Sequence, residues 1–276
     1  MPGPGSTALP STCYPTVWMS AGHALYAGPA LDLEPHSGSV WCFAVGVDHP
    51  FTIRLGDADR FDTTTALIPP RTTHQLIAHG GRMIFAYLDP SSHRAQACRE
   101  LMTDRTRAVG VGHTADQRLR ELGATLLAAT AAEIPIDGAR SATETLGIAW
   151  LDLAAPALQQ VMDARITEAV KIIHNDPAAT VPAGELAAQA GLSESRFLHL
   201  FRQEAGTSLR RYRQWARLLH TATVFLAGHD LTRAATEAGF ASPSHFADRF
   251  RITFGLSATR LLGSGARLRL LDQERN

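Results

Sequence analysis

The sequence predicts an α+β protein of more than one domain: a small N-terminal β-barrel with helices after it, then a C-terminal all-α domain that uses one two-helix unit twice. Three observations carry this. Between residues 21 and about 90, short apolar or alternating runs are bounded by Gly, Pro and Asp, the pattern of a small antiparallel sandwich or barrel. From Ser91 the period becomes helical, and beyond Pro156 the remainder reads as helix throughout. The stretch GLSESRFLHLFRQEAG, residues 191–206, returns as GFASPSHFADRFRITFG, residues 239–255, with Phe197, Phe201 and Gly206 matched by Phe246, Phe250 and Gly255 at an offset of 49 residues.

In order along the chain, HALYAG, VWCFAVGV, FTIRLG, TTALIPP, HQLIAHGG and RMIFAYLDP read as successive strands, with Pro69 and Pro70 ending one of them. SHRAQACRELMTDRT reads as a helix capped by Ser91 or Ser92, and TADQRLRELGATLLAATAAE as a second that starts near Thr114. IPIDGARSATE reads as a loop, and a helix follows over about 143–153. Further helices fall at about 157–174, 182–190, 193–204, 208–227, 231–238 and 243–253. Gly191, Gly228 and Gly239 stand where a helix end takes a left-handed residue, and Ser193, Ser208 and Ser242 stand where N-caps belong. These divisions give a barrel domain at 15–110, a helical linker or dimerisation region at 111–160 and the repeat domain at 161–265.

Composition narrows the class. At 276 residues, with 45% hydrophobic and 19% charged content, the chain has the make-up of a globular protein with room for two cores. The opening MPGPGSTALPSTCYPTVWMS has neither a basic n-region nor a continuous apolar run, and no later apolar stretch is long enough to span a bilayer, so a cytoplasmic protein with no membrane segment is expected. Cys13, Cys42 and Cys98 are odd in number and far apart, which fits reduced, buried thiols better than disulfides or zinc. The net formal charge of zero conceals an asymmetry: residues 1–162 carry 11 Arg against 15 acids, a net of −4, and residues 163–276 carry 14 Arg and Lys171 against 11 acids, a net of +4. A basic C-terminal half suits a polyanionic partner at that end alone.

Each repeat has a small residue four positions before its turn glycine, Ala187 before Gly191 and Ala235 before Gly239. The small side chain lets two helices cross closely and the glycine supplies the turn, so each copy reads as a helix-turn-helix. By helical geometry Phe197, Leu200 and Phe201 point inward, Ser195, His199 and Arg202 point outward, and Arg196 lies on the flank. In the second copy Phe246 and Phe250 point inward, Ser244, Asp248 and Arg251 outward, with His245 and Arg249 on the flanks. A helix buried on one side, with short hydrogen-bonding residues and Arg on the other, suits the DNA major groove. The alternative is an ordinary solvated face, and repetition of the complete unit favours the groove. Arg202 and Arg251 read as phosphate contacts or as surface charges. Asp248 either accepts from a base amine or orients Arg249 or Arg251, since a carboxylate near phosphates needs a donor. The helix over 208–227 places Tyr212, Trp215, Ala216, Leu219, Thr223 and Leu226 on its packed side and spans about 30 Å, close to one turn of DNA.

The run from LAAQAGLSESRF to FRITFGLSATRLL resembles the DNA-binding domain of the AraC family of bacterial transcription regulators over roughly 165–262. Both units, the connecting helix with Tyr212, Arg217 and Leu218, and the AGF...SHF....FR..FG signature occur in order. The resemblance implies two recognition helices, an N-terminal domain for dimerisation or ligand sensing, and action as activator or repressor. Its implied partners are double-stranded promoter DNA, a small-molecule effector, a second copy of the chain in a homodimer, and RNA polymerase. Carried over by position, the base-reading residues are Ser195, Arg196 and His199 in the first unit and Ser244, His245 and Asp248 in the second. Asp248 departs from the donor found there in many members, and Ala258 from the usual Pro.

The β-rich region resembles, more weakly, the cupin-like barrels that precede such domains. The HxH...E metal signature of cupin enzymes is missing, and His36, His49, His74 and His79 lack metal-site spacing, so no metal or other cofactor is expected. Trp41, Phe43, Phe85 and Tyr87 alternate with smaller residues as inward barrel positions do, through core packing or an effector pocket. His36, Trp41, His74 and Tyr87 are the candidate ligand contacts. The function read is a non-enzymatic, sequence-specific transcription regulator controlled by an effector in the barrel. A ligand-independent regulator and a metal-dependent cupin enzyme fused to a DNA-binding domain are the alternatives.

Overall fold

Strands β1 (Thr16–Ser20), β2 (His23–Pro29), β3 (Trp41–Gly46), β4 (Phe51–Leu55), β5 (Asp59–Thr63), β6 (Thr65–Ile68), β7 (Gln75–Ile77) and β8 (Arg82–Leu88) open the fold in a computed structural model that describes residues 14–20, 23–31, 33–56, 59–89, 93–132, 142–157, 162–205 and 207–270. Helix α1 (His93–Glu100), strands β9 (Met102–Asp104) and β10 (Gly110–His113), and helices α2 (Asp116–Ala132) and α3 (Ala142–Ala154) follow. The C-terminal part holds α4 (Ala164–Asn175), α5 (Ala183–Gln189), α6 (Glu194–Ala205), α7 (Leu209–Leu226), α8 (Leu231–Glu237), α9 (Pro243–Phe254), α10 (Ala258–Gly263) and β11 (Arg267–Leu270).

The strands form an eight-stranded sheet in the order β11-β1-β2-β8-β3-β6-β10-β9 and a three-stranded sheet in the order β5-β4-β7. β8 is buried on both faces and is therefore a continuous apolar run. Met83, Phe85 and Tyr87 face an interior shared with Phe51, Ile53 and Leu76 of the smaller sheet. Ile84, Ala86 and Leu88 face the opposite side, where Leu119 and Leu126 of α2 and Trp150 of α3 cover them. The Trp150 indole donates to the Leu119 carbonyl at 3.0 Å, which joins the two covering helices.

That alternation corrects the sequence reading of the aromatics. Phe43 sits opposite Ala86 and Ala44 opposite Phe85, so Trp41 and Phe43 lie on the helix-covered side and only Phe85 and Tyr87 face the interior. Strands β1, β5, β9, β10 and β11 have no counterpart in the sequence reading. The helix expected to continue through LMTDRT stops at Glu100, because Met102–Asp104 pairs with β10 instead. The helix expected from 157 starts at Ala164, where the Asp163 carboxylate accepts from the Arg165 backbone N–H at 3.0 Å. β10 carries the large sheet to His113, and β11 returns the end of the helical domain to that sheet by pairing parallel with β1. Cys13, Ser91, Ser92, Gly206 and residues 134–141 of the loop expected over IPIDGARSATE lie outside the described residues, and the rest of that loop is the first turn of α3. Cys42 and Cys98 are buried free thiols, and burial pushes the Cys42 thiol up to about 12. Among the described residues, no helix is long and apolar enough to cross a membrane.

α7 organises the C-terminal part. Leu209, Tyr212 and Ala216 pack with Ile166, Phe197 and Phe201, Leu218 packs with Ala235 and Phe246, and Trp215 and Leu219 belong to the core of the β interior. A helix joining three cores is not described by one apolar stripe. Thr223, expected on the packed side, is exposed, whereas Leu218, Thr221 and Val224 are buried. The 18 residues of α7 span about 27 Å at about 1.5 Å per residue.

Candidate DNA-binding surface and the cavity behind it

Gly191 joins α5 to α6 and Gly239 joins α8 to α9, with φ of 64° and 80°. These left-handed turns are easy for glycine alone. Ala187 and Ala235 are buried where the paired helices cross, as the small residue requires. Ser242 Oγ accepts from the His245 N–H at 3.1 Å and Ser193 Oγ from the Arg196 N–H at 3.4 Å. Ser208 occupies the N-cap position of α7 without a side-chain cap bond. On α6, Phe197 and Phe201 are buried while Ser195, Arg196, His199 and Arg202 are exposed together. On α9, Ser244, Asp248 and Arg251 are exposed, and His245 and Arg249 are half-buried.

Between the two units runs a groove of about 400 Å³ lined by Arg210, Arg213, Gln214 and Arg217 of α7, with Leu198 on one side and His245 on the other. Arg213 donates to the Val181 carbonyl, and Arg217 donates to the Pro177 carbonyl at 2.9 Å and to Thr180 Oγ1 at 3.0 Å. A Cβ on Gly239 would stand 2.7 Å from Ala178 Cα, so the turn of the second unit rests on this same loop. The loop over 177–181 therefore ties both units to α7. Sequence reasoning missed this row of α7 residues, although 210, 213, 214 and 217 share the helical i, i+3, i+4, i+7 spacing. His245, expected on the flank, stacks edge-on against Phe240 with ring centroids 5.6 Å apart.

The C-terminal end of α9 is docked on the N-terminal domain. Arg251 Nε donates to Glu34 Oε2 at 2.8 Å, and a second guanidinium nitrogen reaches the same oxygen. The Glu34 N–H donates to the Gly255 carbonyl at 2.8 Å and the Ser37 N–H to the Ile252 carbonyl at 3.3 Å. Gly255, with φ 75°, ends α9 against His36, and a Cβ there would collide with His36 Nδ1. Asp248 pairs with neither Arg249 nor Arg251 among the described residues; the acid that holds Arg251 is Glu34.

Of the candidate ligand contacts, His36 and His74 come together. Each donates a backbone N–H to the other's carbonyl at 2.9 Å, and their rings lie 4.3 Å apart. Burial lowers the His36 pKa, and burial with the neighbouring His36 takes His74 down to about 4. Trp41 is on the far side of the sheet, and Tyr87 meets the ring of Phe254 edge-on at 4.9 Å. Among the described residues, no three His, Cys, Asp or Glu side chains are placed to hold a metal ion.

Tyr87 also lines a cavity of about 80 Å³ between the β interior, α7 and α9. Phe246, Phe250 and Phe254 of α9 form one wall, Phe85 and Tyr87 the facing wall, and Trp215 of α7 contributes a third side. No charged residue lines it. The inward face of α9 is thus both the core of the second unit and the wall of a cavity shared with the N-terminal domain.

Two turn-linked helix pairs, each with an exposed polar face and held on one connecting helix, define a helix-turn-helix DNA-binding protein. Residues 186–263 match a family model described as a helix-turn-helix domain. The whole fold is similar to that of ToxT from Vibrio cholerae O395, with a TM-score of 0.51 at 10% identity over 89% of this chain and 98% of that one. ToxT from the same source bound to (E)-4-(8-methylnaphthalen-1-yl)but-3-enoic acid gives 0.51 at 10% identity, over 88% and 99%. A Chromobacterium violaceum transcriptional regulator with an AraC-type DNA-binding domain is 23% identical over 34% of this chain and 84% of that one, at a TM-score of 0.32. No curated protein matches the sequence. The chain thus carries a helix-turn-helix domain behind an N-terminal sheet domain.

Proposed function

We propose that the chain is a sequence-specific transcription regulator that reads two adjacent boxes of double-stranded promoter DNA and that a small molecule in the interdomain cavity controls its grip on the second box. The observation that carries the proposal is the double use of α9: its N-terminal half presents Ser244 and Asp248 to solvent, while Phe246, Phe250 and Phe254 wall the cavity and Arg251 is held by Glu34. An occupant that packs differently in the docked and released arrangements shifts the balance between them, and only to the extent of that difference. ToxT has been crystallised bound to a small organic acid; for this chain the support is its own cavity.

In this reading Ser195, Arg196, His199, Ser244, His245 and Asp248 face bases, while Arg202, Arg249 and Arg251 serve phosphates. Tyr87 touches the effector, whereas His36 and His74 act from behind as the support of Gly255. Residues 15–110 sense, 111–160 carry the homodimer contact and 161–265 bind DNA. The family resemblance extends the reading to a cytoplasmic activator or repressor that meets RNA polymerase at the promoter and catalyses no reaction. The test is enrichment of genomic fragments by the full chain, followed by insertion of about five base pairs between the boxes, which turns the second onto the opposite face of the duplex. Most specific affinity should be lost. Unchanged affinity would show that one unit reads alone.

A further inference from the structure

We infer that β11 is a strap that pins the second helix-turn-helix unit to the sheet domain, and that release of this unit onto its box requires β11 to leave β1. The inference rests on the reading of α9 as docked in one arrangement and released in another.

The strap is short and lies at the edge of the large sheet. It consists of RLRL, and it pairs in parallel with β1, from Thr16 opposite Arg267 to Met19 opposite Leu270. A short edge strand with Arg at alternate positions makes few bonds and invites no further strand. Arg267 supplies much of the hold. Its N–H donates to the Pro15 carbonyl at 2.8 Å, its guanidinium lies 4.1 Å from the centre of the Tyr14 ring, and one guanidinium nitrogen donates to the Thr130 carbonyl of α2 at 3.4 Å. Leu268 packs on the β interior and lines the cavity beside Val17 and Met19 of β1 and Leu261 of α10.

β1 does not depend on β11 in return. It pairs antiparallel with β2 from Thr16 opposite Ala27 to Ser20 opposite His23, and Val17, Trp18 and Met19 are buried. The strap can therefore leave while the rest of the sheet stays paired.

The length of the tether makes its release necessary. α10 belongs to the second unit, since Ala258 shares a core with Ala235 of α8 and Phe246 of α9. Between Gly263 at the end of α10 and Arg267 at the start of β11 lie only residues 264–266. Fully extended, that stretch reaches about 14 Å from Cα to Cα. It is drawn in further, because the Ser264 and Gly265 N–H groups donate to the Arg260 and Leu262 carbonyls at 3.1 and 3.0 Å. While β11 stays paired, the end of α10 is held within that reach of β1, little more than one helix diameter of about 10–12 Å. A larger movement of the unit has to strip β11 from β1, and it opens the cavity beside Leu268.

The experiment is hydrogen exchange read by mass spectrometry on the full chain, free, with an enriched two-box fragment, and with the same fragment carrying a scrambled second box. Peptides over 14–20 and 265–270 are expected to exchange at least about tenfold faster with the two-box fragment than in the free chain, and at the free-chain rate with the scrambled one. Arg267→Pro, which removes the N–H, the ring contact and the bond to Thr130, should tighten two-box binding about tenfold and leave binding to the scrambled-box fragment unchanged. Protection of both boxes with unchanged exchange in these two segments would overturn the strap and keep the two-box reading. Equally fast exchange on the scrambled fragment would overturn its link to the second unit. Arg267→Pro binding the two-box fragment no more tightly than the native chain, with normal melting, would also overturn the strap; where this variant does not fold, the exchange comparison on the native chain decides. Absence of protection at the second box would overturn the underlying reading and this inference with it.

Discussion

Replacing Glu34 with Gln removes the charge that holds Arg251 to the N-terminal domain while leaving the Glu34 and Ser37 backbone bonds to the end of α9 in place. The side chains of Arg251 and Glu34 are 60% and 51% exposed, so water screens the pair and its worth is that of surface ion pairs, about 0.2–1 kcal/mol. That corresponds to a shift of about 1.4- to 5-fold toward the released arrangement. Release frees Arg251 for a phosphate and lets α9 settle in its groove, so affinity for a two-box fragment should rise by about this factor. Glu34→Arg, which sets two cations against each other, should raise it further. Fluorescence anisotropy at low and moderate salt measures both, with the larger ratio of variant to native expected at low salt. Unchanged or weaker binding by both variants, with normal melting, would refute the idea that this contact restrains α9.

Three further outcomes follow from the same geometry. Gly239→Ala must place a Cβ 2.7 Å from Ala178 Cα at φ 80°, so the melting temperature should fall and the second box should lose protection; a variant with native stability and footprint would contradict the role of the 177–181 loop in holding the second unit. His23 and His74 have pKa values of about 4 in the folded chain, against the ordinary 6.5, so the unfolded chain binds more protons between these limits. Stability should therefore decline as pH falls through that window and level off below it, and denaturant melts should show a shallower decline for His74→Phe. On α6, Arg202→Ala should lower the salt slope of DNA binding by about one, whereas His199→Ala should relax one base position at a cost of about 1–3 kcal/mol. Identical binding profiles for native chain and His199→Ala would remove His199 from the reading set.

The helices of the repeat domain were legible in the sequence because their ends are written in residue chemistry. Gly191, Gly228 and Gly239 all adopt positive φ, and α5 to α9 begin and end within a residue or so of their expected bounds. Strands such as β2, β3 and β8 were legible as apolar runs between turn residues, but β5 is the polar DRFDT and β9 and β10 are too short to show a period. β11 becomes a strand only by pairing with β1 at the other end of the chain. The same limit applies to the site. A helical wheel places Arg251 outward, which it is, yet its partner Glu34 lies 217 residues away. Periodicity cannot assign Trp41 and Tyr87 to opposite faces when both faces of the sheet are buried. Nor can a single stripe describe α7, since Leu218 and Trp215 serve different cores.

The most direct test of two reading units on one connecting helix is a hydroxyl-radical footprint of the full chain on an enriched genomic fragment. Two protected patches about ten base pairs apart on the same face of the duplex are expected, because α7 spans about 27 Å and holds α6 and α9 on one side. A single patch, patches on opposite faces, or protection that ignores sequence would contradict it.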